Sequence, residues 1–249
     1  MRLQTALLVI LQLFVCRPDP PGEIPNPYGS IGAIPLPPGF ERVPAAPGSF
    51  GDWLRQLPLK KDKTVHLYNG RPKYNQSAQF AVLAVTVGDK DLQQCADAIM
   101  RLRAEWLYGC HRPADIDFAD NGHVHYRLPA GAGRKEFDQY LEKVFSYCGS
   151  LSLSRQLRAK PFSQLAPGDV LIYGGSPGHA MLVTDVARNR AGQTIFLLSQ
   201  SYMPAQEIHV VINPGDPSLS PWYPVNNVPA IETPEWTFSI SQLKTWPAQ

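Results

Sequence analysis

The chain has 249 residues, 44% hydrophobic and 18% charged, which supplies one substantial core and excludes an intrinsically disordered protein. Its 23 basic and 21 acidic side chains leave a net charge of +2 with no block of one sign, so the broad basic footprint of a nucleic-acid-binding protein is absent. The 25 prolines, about twice the usual share, are unevenly spread and set the first boundary.

Residues 1–16, MRLQTALLVILQLFVC, place Arg2 before an apolar run too short to cross a bilayer comfortably as a helix, the pattern of an export signal. Cys16 closes that run and fits a lipidated mature N-terminus, although Val15 stands where a small residue is usual; a plain signal peptide and an uncleaved anchor are the alternatives. The expected location is extracytoplasmic, periplasm or cell envelope, with the membrane touched only through this N-terminal segment. From residue 17 to 48 prolines recur every few positions, removing backbone donors and fixing φ, so this stretch is expected to be a Pro-rich tether or wrapping arm. Residues 49–249 are expected to form a single globular domain.

SFGDWLRQLPL offers Ser49 as an N-cap and a short helix carrying Trp53, Leu54 and Leu57 before Pro58 stops it. Residues 64–68 alternate as a short strand closed by Asn69-Gly70, and FAVLAVTV, residues 80–87, reads as a buried strand ended by Gly88-Asp89. LQQCADAIMRLRAEWLY, residues 92–108, is one helical pattern with Leu92, Cys95, Ala96, Ile99, Leu102 and Trp106 on a stripe. Asp91 is its expected cap, with Gln94 in the capping-box position. A hairpin is predicted at Asn121-Gly122 and a second helix over 134–148. Strands are predicted over 169–173, 180–187, 194–202 and 208–212, followed by an irregular tail rich in proline and tryptophan. A helix before consecutive strands with short connections implies α+β with an antiparallel sheet.

Cys95 falls in the first turn of its helix, where the positive end of the dipole favours a thiolate, but it also belongs to the apolar stripe of a core helix. After export Cys95, Cys110 and Cys148 remain, and an odd count in an oxidising compartment leaves one thiol over. Cys95 and Cys110 stand about 22 Å apart along a continuous helix, so the expected disulfide is Cys110 with Cys148 and the expected free thiol is Cys95.

His179 opens a strand after a glycine-rich turn in PGDVLIYGGSPGHAMLVTDV. If the hairpin closes over residues 189–192 with Arg188 opposite Gln193, then His179 faces Tyr202 and Gln200 is its diagonal neighbour, placed to orient an imidazole base. A slip of one residue substitutes Ser199 or Ser201, and the bland alternative is a strand-end histidine with a satisfied hydrogen bond. His123 and His125 alternate as half a metal site without further ligands, and His66, His111 and His209 have no neighbours that suggest chemistry.

The runs LQQCADAIMRLRAEWLY, GGSPGHAMLVTDV, QSYMPAQEIHV, SPWY and TPEWTF, with NGRPKYNQ and SLSRQL, resemble a bacterial family known as domain of unknown function 4846, over about residues 35–243. That resemblance implies an exported, often lipid-anchored protein and no established activity. A looser likeness in layout is to the NlpC and CHAP type cysteine peptidases and amidases that cut cell-wall peptides. It implies a papain-like α+β fold with Cys95 as nucleophile, His179 as base and Gln200 as orienting group. The Cys95 amide, with the Gln93 or Gln94 side chain, would then supply oxyanion donors. The departures are an unusual flank around Cys95, Gln200 as the third group and an extra helix between Cys95 and His179. The expected function is thus a thiol-dependent peptidase or amidase acting on a cell-wall peptide or similar ligand, with no cofactor and no metal required. The alternative is a non-catalytic envelope binding or scaffolding protein on the same fold, in which Tyr202, Met203, Trp222, Tyr223 and Trp236 form an aromatic surface or pack the tail.

Overall fold

Residues 179–187 and 195–200 run almost without a polar break, and strands of that kind need cover on both faces. The computed structural model describes residues 25–226 and 228–247. The expected export signal, Cys16 included, lies outside the described residues. In chain order the elements are β1 (Phe40–Arg42), α1 (Phe50–Gln56), β2 (Gln79–Val82), α2 (Cys95–Gly109), the hairpin β3 (Asp117–Ala119) and β4 (His125–Arg127), α3 (Arg134–Tyr147) and α4 (Ser150–Gln156). There follow β5 (Arg158–Ala159), β6 (Val170–Tyr173), β7 (His179–Asn189), β8 (Thr194–Gln200), β9 (His209–Val211), β10 (Tyr223–Pro224), the hairpin β11 (Ala230–Glu232) and β12 (Thr237–Ser239), and β13 (Leu243–Thr245).

The result is a mixed α+β fold around an antiparallel nine-stranded sheet, ordered β2-β9-β8-β7-β6-β13-β5, with β1 joining β7 and β10 joining β8. Against one face α2 packs Ile99, Leu102 and their neighbours on Ala180, Leu182 and Leu197. The other face buries Met181, Val183, Phe196 and Leu198 under Phe162, Tyr223, Ile231 and Phe238. Each central strand therefore presents apolar side chains in both directions, the physical reason for its unbroken run.

Several elements depart from expectation. The body begins before Ser49: Ile31 and Ile34 are fully buried, β1 pairs with the far end of β7, and Trp222 Nε1 donates to the Pro35 carbonyl at 2.8 Å. Among its described residues proline leaves this arm a single 3-10 turn, Ile31–Ala33, and does not prevent burial, and Asp185, itself fully buried, receives Arg42 at 2.7 Å and Arg55 at 2.6 Å, tying arm and α1 to β7. Residues 64–68 make only isolated bridges, and the strand expected over 80–87 ends at Val82, with Leu83 adding an isolated bridge to Leu59. α4 was not anticipated from the pattern, and neither were the strands of the tail, of which β13 enters the main sheet between β6 and β5.

The expected disulfide is overturned: Cys95, Cys110 and Cys148 are all free. α2 and α3 run antiparallel, with Tyr108 near the end of α2 against Phe137 near the start of α3, ring centroids 4.5 Å apart. Cys110 and Cys148, each following a helix C-terminus, are thus at opposite ends of the pair, about 20 Å apart by helical rise and beyond disulfide reach.

Candidate functional site

Cys95 is the first residue of α2. The cap is Gln94 rather than Asp91, and the Gln94 amide donates to Asp97 Oδ2 at 3.0 Å. Asp91 is used elsewhere, accepting from the Ala205 amide at 2.7 Å, while Ser201 Oγ donates to the carbonyls of Gln93 and Gln206 at 3.0 and 2.7 Å. These bonds pin the start of α2 to the loop leaving β8, and Cys95 comes to rest, partly exposed, at the end of β7. The nearby backbone amides of Ala180, Ala96 and Cys95 itself favour the charged form of the sulfur.

His179 is the first residue of β7 and is 1% exposed. Its ring lies against Tyr202, Trp236 and Phe238, with centroids 4.7, 5.3 and 5.8 Å away. The β7–β8 hairpin opens one residue off the expected register, with Arg188 opposite Thr194, and a bulge between Val183 and Asp185 takes up the difference, so that Leu182 opposes Ser199. Extended by three residues, that register sets His179 opposite Tyr202 and Gln200 on its diagonal, and His179 Nε2 meets Gln200 Oε1 at 2.8 Å.

From Gln200 a buried polar chain continues. Gln200 Nε2 donates to Glu235 Oε2 at 2.7 Å, and the same oxygen accepts from Lys73 Nζ at 2.6 Å. Gln200 Nε2 also lies 3.3 Å from His209 Nε2, and His209 Nδ1 lies 2.9 Å from the Glu207 carbonyl. Hydrogen-bond chemistry assigns every proton in it. A carboxylate only accepts, so the Gln200 NH2 must face Glu235 and its oxygen must face His179. His179 therefore carries its proton on Nε2, and Nδ1 is left as a lone pair that makes no hydrogen bond among the described residues. The Glu207 carbonyl likewise requires a proton on His209 Nδ1, so His209 Nε2 accepts from Gln200.

Burial holds both imidazoles neutral. It depresses His179 to about 4 and His209 to about 3, with the Lys73 charge adding to both; the Gln200 bond acts the other way at His179. The Lys73 ammonium is itself lowered by burial, which its Glu235 partner opposes. Burial also pushes the Cys95 thiol up to about 11, assisted by Asp97, and the three backbone amides offset only part of this. The expectation that the helix N-terminus would leave Cys95 acidic is thus corrected. Desolvation outweighs the dipole, and the resting pair is a neutral thiol and a neutral imidazole.

His179 and Gln200 are brought into direct contact. Cys95 is brought to the same strand end, where the Tyr202 ring lies tilted against His179. No thiol–imidazole hydrogen bond forms among the described residues. The helix approaches from the Ala180 side of β7, and successive residues of a strand point to opposite faces. Of the two expected oxyanion helpers, Gln94 Nε2 is turned to Asp91 Oδ1 at 3.3 Å. Gln93 Oε1 accepts from Arg101 at 2.7 Å and its buried Nε2 has no partner. A cleft of about 200 Å³ beside this loop takes in Leu92, Gln93, Arg101, Arg134 and Phe145 but not Cys95.

Lys73, His209 and Glu235 were missed. For His209 the signal was available, since it opposes Gln200 directly on β9. Lys73 and Glu235 arrive from loops and had none. His123 sits in the β3–β4 turn at φ 64°, and His125 Nδ1 engages Asp117 at 2.8 Å, so the two do not share a strand face. Among the described residues no group of three His, Cys, Asp or Glu side chains is placed to hold a metal ion.

Fold and site together define a class: mixed α+β proteins built on a large antiparallel sheet, with a strand-end histidine fixed by a buried polar chain. More particularly, the chain belongs to the family described as domain of unknown function (4846), whose model matches residues 32–128 and 120–245. No curated protein and no solved structure matches it.

Proposed function

We propose that the protein is an exported thiol-dependent amidase or peptidase of papain-like layout, acting on an amide bond in a peptide such as those of the cell wall. The observation that carries this reading is the proton assignment of His179: Gln200 holds the Nε2 proton and leaves Nδ1 as a free base at the strand end where Cys95 emerges from its helix. On this reading the thiol, on the Ala180 side of β7, and the imidazole, on the Phe238 side, meet around the strand end as substrate seats, catalytic contacts in unliganded enzymes often being unformed. Cys95 Sγ attacks the carbonyl carbon while its proton passes to His179 Nδ1. The oxyanion that forms lies at the amides that open α2, those of Cys95 and Ala96. The imidazolium then protonates the leaving nitrogen as the C–N bond breaks. Water, deprotonated by the same Nδ1, hydrolyses the thioester and restores the thiol. The chemistry is carried by cysteine, histidine and backbone amides.

A second reading has its own support in the same geometry. A thiol pushed up to about 11, without a bond to the imidazole, suits a binding or scaffolding protein that keeps the fold without the reaction. Iodoacetamide labelling of the native chain, with peptide mapping of Cys95, Cys110 and Cys148, separates the two. The enzyme reading expects Cys95 to react faster than a buried thiol of its burial should, and to lose that advantage in His179→Ala. Cys95 as inert as Cys148, or labelling indifferent to His179→Ala, rules it out.

A further inference from the structure

We infer that Glu235, held by Lys73, and His209 are positioning residues: they fix which end of the Gln200 amide faces His179, and so fix the tautomer of the imidazole. An amide side chain has two ends of nearly equal size, and nothing in the β8 backbone chooses between them. The choice is made by what surrounds the NH2 end. Turned over, Gln200 would bring its oxygen to 2.7 Å from Glu235 Oε2, two acceptors in contact. It would also ask His209 Nε2 to donate, although the single proton of a neutral His209 is already committed to the Glu207 carbonyl through Nδ1. Both penalties fall in a buried setting, with Gln200 1% exposed and His209 fully buried, where an unmatched polar contact is costly.

Lys73 matters because Glu235 must stay a carboxylate to select the amide. Its ammonium is 7% exposed and lies 2.6 Å from the oxygen that Gln200 uses. Lys73 comes from the loop before β2, Glu235 from the β11–β12 turn and His209 from β9, so three separate parts of the chain agree on one orientation.

The inference rests on the amidase reading only for the use made of the free lone pair; the orientation itself is a statement about protons. It is tested on the full chain labelled with ¹⁵N at histidine, by the nitrogen chemical shifts and couplings that report tautomers. The wild type should show His179 protonated on Nε2 alone and His209 on Nδ1 alone; the opposite tautomer at either ring overturns the assignment, with no substitution needed. In Glu235→Ala the carboxylate that repels the Gln200 oxygen is gone and the Lys73 ammonium left there attracts that oxygen against the preference of His209, so the His179 Nδ1 signal should move towards the protonated position. An equal mixture halves the population with a lone pair on Nδ1, so Cys95 labelling at neutral pH should fall about twofold. A His179 tautomer unchanged in a folded Glu235→Ala reduces Glu235 to a structural ion pair and overturns the proposal. The two readings fail separately. Assigned tautomers with an inert Cys95 keep the positioning role and end the amidase; a reactive, His179-dependent Cys95 with reversed tautomers does the opposite.

Discussion

Asp97 follows Cys95 by two residues in the first turn of α2, buried, with Oδ2 on the Gln94 amide and Oδ1 without a partner. Burial raises its carboxyl well above the ordinary range, and its charge is the second cause, after burial, of the raised Cys95 thiol. A negative neighbour disfavours a thiolate, so removing it should make the thiol more acidic. Asp97→Asn keeps an oxygen for the Gln94 amide and discards the charge. The pH dependence of Cys95 alkylation should shift to lower pH than in the wild type while staying above an ordinary thiol at about 8.5, because burial is unchanged. An unmoved curve, or one shifted upward, shows that Asp97 does not reach the sulfur. The sequence showed that Cys95 lies in a first turn with amide donors around it. It did not show how deeply the chain buries that turn, and burial decides the sign.

At the scale of elements, the candidate site depends on the turn that delivers His179 to β7. Gly178 precedes it, and a Cβ there would lie 2.2 Å from Ser150 Oγ and 2.5 Å from the Gly175 carbonyl oxygen. Gly174 is equally confined, its added Cβ falling 2.7 Å from Ser154 Cβ. α4 is thus the backing of the glycine-rich turn. Gly178→Ala should cost about 1 to 3 kcal/mol in denaturant unfolding, as overpacking does, and should displace His179 from Gln200. The check is unfolding together with Cys95 labelling: unchanged stability with unchanged labelling shows that the turn has room to spare. β6 to β9 were legible because buried strands leave apolar runs, and the diagonal of His179 and Gln200 was legible from register. The register reached the right pair through a compensating error, since the bulge near Thr184 cancels the offset at the hairpin loop. α4, with SLSLSRQ, has too few apolar residues to announce itself, and its role appears only when the turn is seen against it.

Across the whole molecule, the stretches that carry the family resemblance converge on the candidate site. LQQCADAIMRLRAEWLY brings Cys95, GGSPGHAMLVTDV brings His179, QSYMPAQEIHV brings Gln200 and His209, NGRPKYNQ brings Lys73 and TPEWTF brings Glu235. Periodicity could not find the last two, because loop residues have no period and their meeting is a property of the fold. The same convergence makes the molecule sensitive to acid. His179 and His209 stand at about 4 and about 3, held there first by burial and also by the Lys73 charge, whereas in the unfolded chain each titrates near 6.5. Between those values the unfolded state binds more protons than the folded one, so the contribution of both groups is fully present above about pH 6.5 and is lost as pH falls towards 4 and then 3. The groups facing them keep this sign. Gln200 and the Glu207 carbonyl do not titrate in this range, and Glu235 is paired with Lys73. The two histidines should therefore weaken the full chain against denaturant unfolding as pH falls from 6.5 to 4, against Asp97, whose raised carboxyl takes up a proton more readily in the folded state and acts with the opposite sign. In His209→Gln, which keeps a polar side chain beside Gln200, the slope over that interval should flatten, since one fewer buried base is left to take up a proton. A His209→Gln curve parallel to the wild type across the interval would show that His209 charges without unfolding, and that the buried chain around Gln200 is open to water.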